Sequence, residues 1–120
     1  MKTLTTAEEE IMHVLWKLRE ANVALIIEQL PEPKPAYNTV STIIRILESK
    51  EFVSYRKEGR GHIYYPSVSK ADYTKATTTK IASNYFKGSF KSMVSFFMQQ
   101  DDLTVKELEE LLTEIKKKES

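Results

Sequence analysis

The sequence predicts a mainly α-helical fold that carries one small β-hairpin. Apolar residues recur at intervals of three and four along most of the 120 residues, which is the spacing of helices that bury one face. Strand-like alternation is confined to one stretch, FVSYRKEGRGHIYYPSV, at residues 52–68. Two of the three glycines lie inside that stretch, where a tight turn between two strands needs them.

Two helices are predicted first. Thr6 and Glu9 have the spacing of a capping box, and the acidic run at residues 8–10 suits the positive end of a helix dipole. Residues 23–30 are apolar at helical spacing, and Asn22 either ends the first helix or starts the second. PEPKP at 31–35 cannot continue the second helix, because proline lacks an amide donor. The apolar stripe of the first helix is Ile11, Val14, Leu15 and Leu18.

The third helix, YNTVSTIIRILESK at residues 37–50, has two different faces. At about 100° per residue, one side is apolar and collects Val40, Ile43, Ile44 and Leu47. The opposite side carries short polar residues and one arginine, namely Asn38, Ser41, Thr42, Arg45 and Ser49. A helix that only faces water more often carries Glu and Lys there, so this polar face requires its own explanation.

A hairpin follows the third helix. Val53, Tyr55 and Lys57 alternate with Ser54 and Arg56, and a second β-like run covers residues 63–65. EGRG at residues 58–61 supplies the turn. Pro66 closes the second strand, where the loss of an amide does least harm.

The rest of the chain is predicted to be helical. Ser69 caps one helix, Gly88 breaks the pattern, a short apolar helix follows, and Thr104 with Glu107 forms the capping box of the last helix. These helices hold more large apolar groups than three short helices can bury alone, which predicts a homodimer.

We divide the chain into a first domain at residues 1–67 and a helical dimerisation region at residues 68–120. The predicted dimerisation residues are Tyr85, Phe86, Phe90, Met93, Val94, Phe97, Leu108, Leu111, Leu112 and Ile115.

The composition excludes several classes of protein. The chain has no cysteine, so it has neither a disulfide framework nor a thiolate metal site. His-Glu-x-x-His spacing, glycine-rich phosphate loops and Gly-x-Ser-x-Gly are absent, so no catalytic residue, metal or cofactor is predicted. His13 is best explained as a surface or partly buried residue. No signal peptide and no apolar run of membrane-spanning length is found, which predicts a cytoplasmic protein.

The net charge of +1 hides an uneven distribution. Residues 34–67 hold six Lys and Arg against three Glu, and residues 68–98 hold five Lys against one Asp. Residues 99–120 hold four Lys against seven acids. The basic segments suit an anionic partner, although a solvated surface explains charge counts of this size equally well.

Three helices followed by a hairpin is the order of a winged helix-turn-helix domain, in which one helix enters the DNA major groove and the hairpin, or wing, meets the backbone. The polar face of the third helix then has a use. Asn can bridge adenine, Arg can bridge guanine, and Ser or Thr can reach base edges or phosphates. The predicted DNA-binding residues are Tyr37, Asn38, Thr39, Ser41, Thr42 and Arg45 on the recognition helix, and Arg56, Lys57, Arg60 and His62 on the wing.

Two other functions stay open from the residues alone. A dimeric adaptor that binds proteins through a winged helix would show the same pattern, but without steep salt dependence toward duplex DNA. A small hydrolase or metal enzyme would need titratable groups that converge in a cleft. The acidic runs at residues 8–10 and 101–102 are better explained by helix starts.

The ordered set of motifs resembles the BlaI/MecI/CopY family of bacterial winged-helix repressors, the penicillinase-repressor type. Thr39, Val40, Thr42, Arg45 and Leu47 in fixed spacing ahead of the hairpin are the most specific part of the resemblance. The matching stretches are LTTAEEEIMHVLW at 4–16, the third helix, YRKEGRGHIYYPSVSK at 55–70, YFKGSFKSMVSFF at 85–97 and ELEELLTEI at 107–115.

The resemblance implies a homodimeric transcriptional repressor that binds an inverted-repeat DNA operator. It also implies that antibiotic-responsive members are cut in the dimerisation region after a membrane sensor protease registers a β-lactam. The cut would fall near Ser95 and Phe96, where that type has Asn-Phe. Release by a small ligand or by depletion of the repressor stays open as another route of induction.

Two further comparisons with the family bear on this chain. Glu51 stands where family members often have Gly after the recognition helix, which puts a carboxylate close to the expected DNA. Copper-responsive members bind metal through C-terminal cysteines, and this chain has none.

Overall fold

The computed structural model of the chain describes residues 1–100 and 103–119, with the side chains of all these except 115, 116, 118 and 119. It confirms the mainly α class with one two-stranded antiparallel sheet. The elements are α1 (Thr6–Leu18), α2 (Val23–Gln29), α3 (Tyr37–Ser49), β1 (Val53–Glu58), β2 (Gly61–Pro66), α4 (Lys70–Tyr85), α5 (Phe90–Gln99) and α6 (Val105–Glu119).

The chain forms two compact units, Met1–Ala76 and Thr77–Ser120. The first unit takes in the start of α4, because Tyr73 is buried with its ring 5.6 Å from Phe52 and 5.8 Å from Trp16. Trp16 also donates from Nε1 to the carbonyl of Val68 at 2.8 Å. These contacts hold the segment after the hairpin against the first unit.

The core of the first unit lies between α1, α2 and α3. Each helix contributes one apolar stripe, and the hairpin adds Phe52 and Val53 at its base. Burying such side chains contributes roughly 1.5–3 kcal/mol each to folding. The largest fully buried residues are Ile11, Met12, Leu15, Ile26, Val40, Ile44, Leu47 and Phe52.

The capping box of α1 lies one residue earlier than the sequence predicts. Thr5 is the N-cap, and its hydroxyl accepts from the Glu8 amide at 3.2 Å while the Thr5 amide donates to the Glu8 carboxylate at 2.7 Å. Thr5–Glu8 and Thr6–Glu9 have the same spacing, so the local pattern does not choose between them. Lys50 selects the earlier pair, because its ammonium lies 2.8 Å from the Glu8 carboxylate and forms an ion pair with it inside the fold.

Asn22 starts α2 rather than ending α1. Its side-chain oxygen accepts from the Leu25 amide at 2.9 Å, the usual bond of an N-cap. At the other end, Lys34 donates from Nζ to the carbonyls of Glu28 and Leu30 at 2.8 and 2.5 Å. Both ends of this short helix are therefore closed by side chains.

The hairpin is tied to the junction between α1 and α2. β1 and β2 pair with Tyr55 opposite Tyr64 and Lys57 opposite His62. Gly59, with φ of +62°, takes the first position of the two-residue turn. Ala21 forms an isolated antiparallel bridge with Tyr64, with backbone hydrogen bonds of 3.0 and 2.9 Å. The wing is therefore anchored at its second strand by a residue that precedes α2.

The second unit holds the end of α4 together with α5 and α6. Ser89 caps α5 by accepting from the Ser92 amide at 3.1 Å, and Thr104 caps α6 by accepting from the Glu107 amide at 3.1 Å. The ring of Phe86 lies 5.6 Å from that of Phe96. Among the residues the structure describes, no helix is both long and apolar enough to cross a membrane.

Candidate nucleic-acid interface

The outer face of α3 is open to solvent while its inner face is sealed in the core. Val40, Ile44 and Leu47 are fully buried. The predicted base-reading side chains project from the other side, with Ser41 half-buried and the rest exposed, namely Tyr37, Asn38, Thr39, Thr42 and Arg45. The helix is therefore held rigidly by its apolar side and presents short polar groups that allow close approach to another surface.

The start of α3 lacks a capping side chain. Ala36 occupies the N-cap and makes no side-chain hydrogen bond, and the first turn contains no acidic residue. Each of the other five helices in the described ranges has a capping oxygen at its start, from Thr5, Asn22, Ser69, Ser89 and Thr104. A helix start that leaves its amides and its positive dipole end without a carboxylate suits a phosphate placed there.

Lys57 and His62 lie on one face of the wing, because paired residues in a hairpin point to the same side. The His62 ring stacks on Tyr55 with centroids 4.5 Å apart, and its Nδ1 lies 3.4 Å from the Tyr64 hydroxyl. Burial raises the pKa of the Tyr64 phenol, and Glu48 raises it further. The hydroxyl therefore stays protonated, and the tautomer of His62 decides which of the two groups donates.

A cleft of about 290 Å³ lies between the start of α3 and the tip of the wing. Tyr37 comes from the first turn of α3, and Arg60 and His62 come from the wing. The cleft is completed by Asn22, Val23, Ala24, Gly61 and Tyr64. Three of the predicted site residues therefore meet at one place, where the side chain of Arg60 adjoins the uncapped start of α3.

Arg56 is not part of this cluster. Strand alternation puts it on the opposite face of β1 from Lys57. Its guanidinium donates to the carboxylates of Glu20 at 2.5 Å and Glu58 at 3.3 Å. The structure thus gives this predicted wing residue partners within the chain.

The end of α3 is fixed by two features. Lys50 pairs with the buried Glu8 and also donates to the Thr3 carbonyl at 3.2 Å, which ties the end of α3 to the start of α1. Glu51 follows with φ of +66°, a left-handed conformation that favours glycine. The Phe52 amide donates back to the Leu47 carbonyl at 2.9 Å, as in a Schellman cap.

Sequence reasoning missed Glu20, Ala21 and Ala36 as parts of this region. Ala21 and Glu20 reach the wing across more than thirty-five residues of chain, and no local pattern marks such contacts. The signal at Ala36 was visible in the sequence, because the residue just before this helix is alanine, whereas Ser, Thr or Asn stands at the start of the other described helices.

Comparisons with known proteins point to one family. Residues 4–117 match the family model described as "Penicillinase repressor". The chain is 31% identical over 116 residues to the methicillin resistance regulatory protein MecI of Staphylococcus aureus strain N315, covering 96% of this chain and 94% of that protein. It is 29% identical over 109 residues to the penicillinase repressor of Bacillus licheniformis, covering 90% of this chain and 85% of that protein.

Two solved structures each resemble about three fifths of the chain. The DNA-binding domain of the repressor BlaI superposes with a TM-score of 0.52 at 31% identity, covering 61% of this chain and 94% of that one. The monomeric form of Bacillus licheniformis BlaI, in complex with the blaP half-operator, gives 0.51 at 30% identity and covers 60% of this chain and 89% of that one.

Proposed function

The chain belongs to the penicillinase repressor family, and on this premise we propose that it binds an operator with the outer face of α3 and the adjoining face of the wing. It is a DNA-binding transcriptional repressor of winged-helix fold and not an enzyme. The family resemblance seen in the sequence is thereby confirmed. We retain residues 1–67 as the DNA-binding domain and residues 68–120 as the dimerisation region.

One observation carries the assignment of the DNA-binding surface. α3 buries an uninterrupted apolar stripe and turns Asn38, Thr42 and Arg45 outward, beside a cleft edged by Arg60 and His62. Asn and Arg are the side chains that bridge base edges bidentately in the major groove, and the cationic wing tip suits phosphates. The BlaI relative bound to its half-operator supports the same use of this fold here.

The test is selection of binding sites from random duplexes, followed by fluorescence anisotropy on the selected duplex and on a scrambled one. A specific repressor should bind the selected duplex at least about 10³-fold more tightly than the scrambled one. Both affinities should fall steeply with salt. Equal, salt-insensitive affinities would instead favour a winged helix that binds proteins.

We infer that the chain acts as a homodimer on an inverted repeat. No residue of α5 is buried, and Phe90 and Phe97 are 48% and 42% exposed. Leu111 and Leu112 of α6 are 49% and 48% exposed. The predicted interface also includes Ile115, whose side chain lies outside the described residues. Apolar surface of this extent is typical of a protein that covers it with a second copy.

The relatives' names suggest the regulated genes. The similar proteins are regulators of methicillin resistance and repressors of penicillinase. We therefore propose that the chain acts in the cytoplasm and binds operators of β-lactam-resistance genes. Footprinting on the DNA upstream of the chain's own gene and its neighbours should reveal a two-fold symmetric protected site. Protection without symmetry would count against the homodimer.

Induction by proteolysis is the proposed route of release. In the single chain, Ser95 and Phe96 are exposed on α5, with Phe96 at 45%. A second copy would cover this helix, so a membrane sensor protease would need DNA-free or locally opened protein. Mass spectrometry after co-expression with the sensor under induction should find an N-terminal fragment that ends within residues 93–98. Derepression with the chain intact would exclude this route.

A further inference from the structure

The contact between Glu20 and Arg56 joins two charged residues of the first unit that are 36 residues apart in the sequence. Glu20 lies between α1 and α2, and Arg56 lies in the middle of β1. The hydrogen bond between them lowers the pKa of the Glu20 carboxyl and raises that of the Arg56 guanidinium. Both groups are therefore fully charged near neutral pH.

The wing does not need this ion pair to stay in place. Ala21, the next residue, already holds β2 through two backbone hydrogen bonds to Tyr64, which is buried. The side chains of Glu20 and Arg56 remain about half exposed, at 51% and 48%. Solvated ion pairs contribute little to stability, so the pair can open without detaching the wing.

Arg56 is close enough to the wing tip to serve DNA. It lies two residues before the end of β1, which at about 3.3 Å per residue is roughly 7 Å from the turn. Lys57 and His62 occupy the other face of the hairpin. A wing tip placed between the two phosphate backbones of a groove meets anions on both faces, so an Arg56 released from Glu20 would have a phosphate partner. Only the longer hydrogen bond to Glu58, at 3.3 Å, would then compete with that phosphate.

We propose that Glu20 withholds Arg56 from DNA. Its carboxylate competes with a backbone phosphate for the same guanidinium, and this competition lowers the contribution of the wing to affinity for every sequence alike. Glu20 is thus a positioning residue that acts through Arg56. The inference rests on the proposed DNA-binding surface and adds a determinant of its affinity.

The test begins with Glu20→Gln, measured by anisotropy on a selected and a scrambled duplex over a range of salt concentrations. The variant should bind both duplexes about two- to fivefold more tightly. Its plot of log affinity against log salt should steepen by about one unit, because one more phosphate is neutralised. Glu10→Gln is the matched control, since it removes the same charge from an exposed position of α1 ten residues earlier.

Repeating Glu20→Gln in an Arg56→Gln background separates the competition from general repulsion. Loss of both the gain and the steeper slope in that background supports the proposal. If Glu20→Gln still raises the affinity in the absence of Arg56, the inference is wrong. The inference is also wrong if the wild type binds normally but Glu20→Gln leaves the salt slope unchanged. In both cases the proposed function stands. A wild-type chain that binds no duplex overturns the proposed function and the inference with it.

Discussion

Arg45 is exposed at the middle of the outer face of α3, one turn beyond Ser41 and Thr42. If it bridges a guanine, Arg45→Ala should weaken operator binding by about 1–3 kcal/mol and relax the preference at one base pair. Binding to scrambled DNA should change much less. Anisotropy on both duplexes checks this, and an equal loss on the two would show that Arg45 only contacts phosphate.

Glu51 has a backbone conformation that is unfavourable for any residue with a side chain but not for glycine. With φ of +66° at the end of α3, Glu51→Gly should raise the free energy of unfolding by about 1 kcal/mol. Glu51→Ala keeps the unfavourable conformation and should bring no such gain. Urea unfolding of the three proteins measures the difference, and a stabilised alanine variant would attribute the gain to the lost carboxylate instead.

An ionised Glu8 ties the start of α1 to Lys50 at the end of α3. Burial raises the pKa of this carboxyl, but hydrogen bonds from Lys50 and from the Thr5 amide outweigh it, so the pKa lies below its ordinary value of 4.5. A group with a depressed pKa stabilises the folded state fully above its unfolded pKa, and this contribution is lost as pH falls through the folded pKa. The tie between α1 and α3 that Glu8 and Lys50 form is therefore weakest in acid.

Glu8→Gln should lower the free energy of unfolding by about 1–2 kcal/mol at pH 7. The gap between wild type and variant should close as pH falls below about 4.5, since protonation removes the same charge from Glu8. Denaturant unfolding at several pH values checks this, with Glu10→Gln as the exposed control. A gap that stays constant down to pH 3 would mean that the charge of Glu8 contributes nothing.

The helices and strands were largely predictable because their signals are local. Period, caps and the EGRG turn placed every element. The second strand was predicted over residues 63–65 and spans Gly61–Pro66, because the turn uses only residues 59 and 60. The choice of Thr5 over Thr6 as N-cap was not predictable, because Lys50, which decides it, lies 42 residues from Glu8. The same holds for Arg56, whose partner Glu20 is 36 residues away. Sequence spacing proposes the side chains of a site, and tertiary contacts decide which of them already have a partner within the chain.

For the whole molecule, the exposed faces of α5 and α6 predict a stable dimer. Sedimentation velocity at micromolar concentration should give a single species of twice the 13.9 kDa chain mass. Leu112→Glu should weaken the dimer about tenfold or more, because a carboxylate would be buried against apolar surface. Leu25→Glu is the matched control, since Leu25 is exposed to nearly the same degree in the first unit, at 44% against 48%. A monomeric wild type would refute the dimer.

The bridge between Ala21 and Tyr64 has a consequence for how such a repressor can evolve. Its two hydrogen bonds use only backbone atoms, so substitutions in the wing leave them intact. Arg60 and His62 can therefore be exchanged while β2 stays attached to the domain. On the proposed DNA-binding surface, selection can raise or lower the affinity for DNA through the tip of the wing, one residue at a time, while the attachment of β2 to the domain is kept.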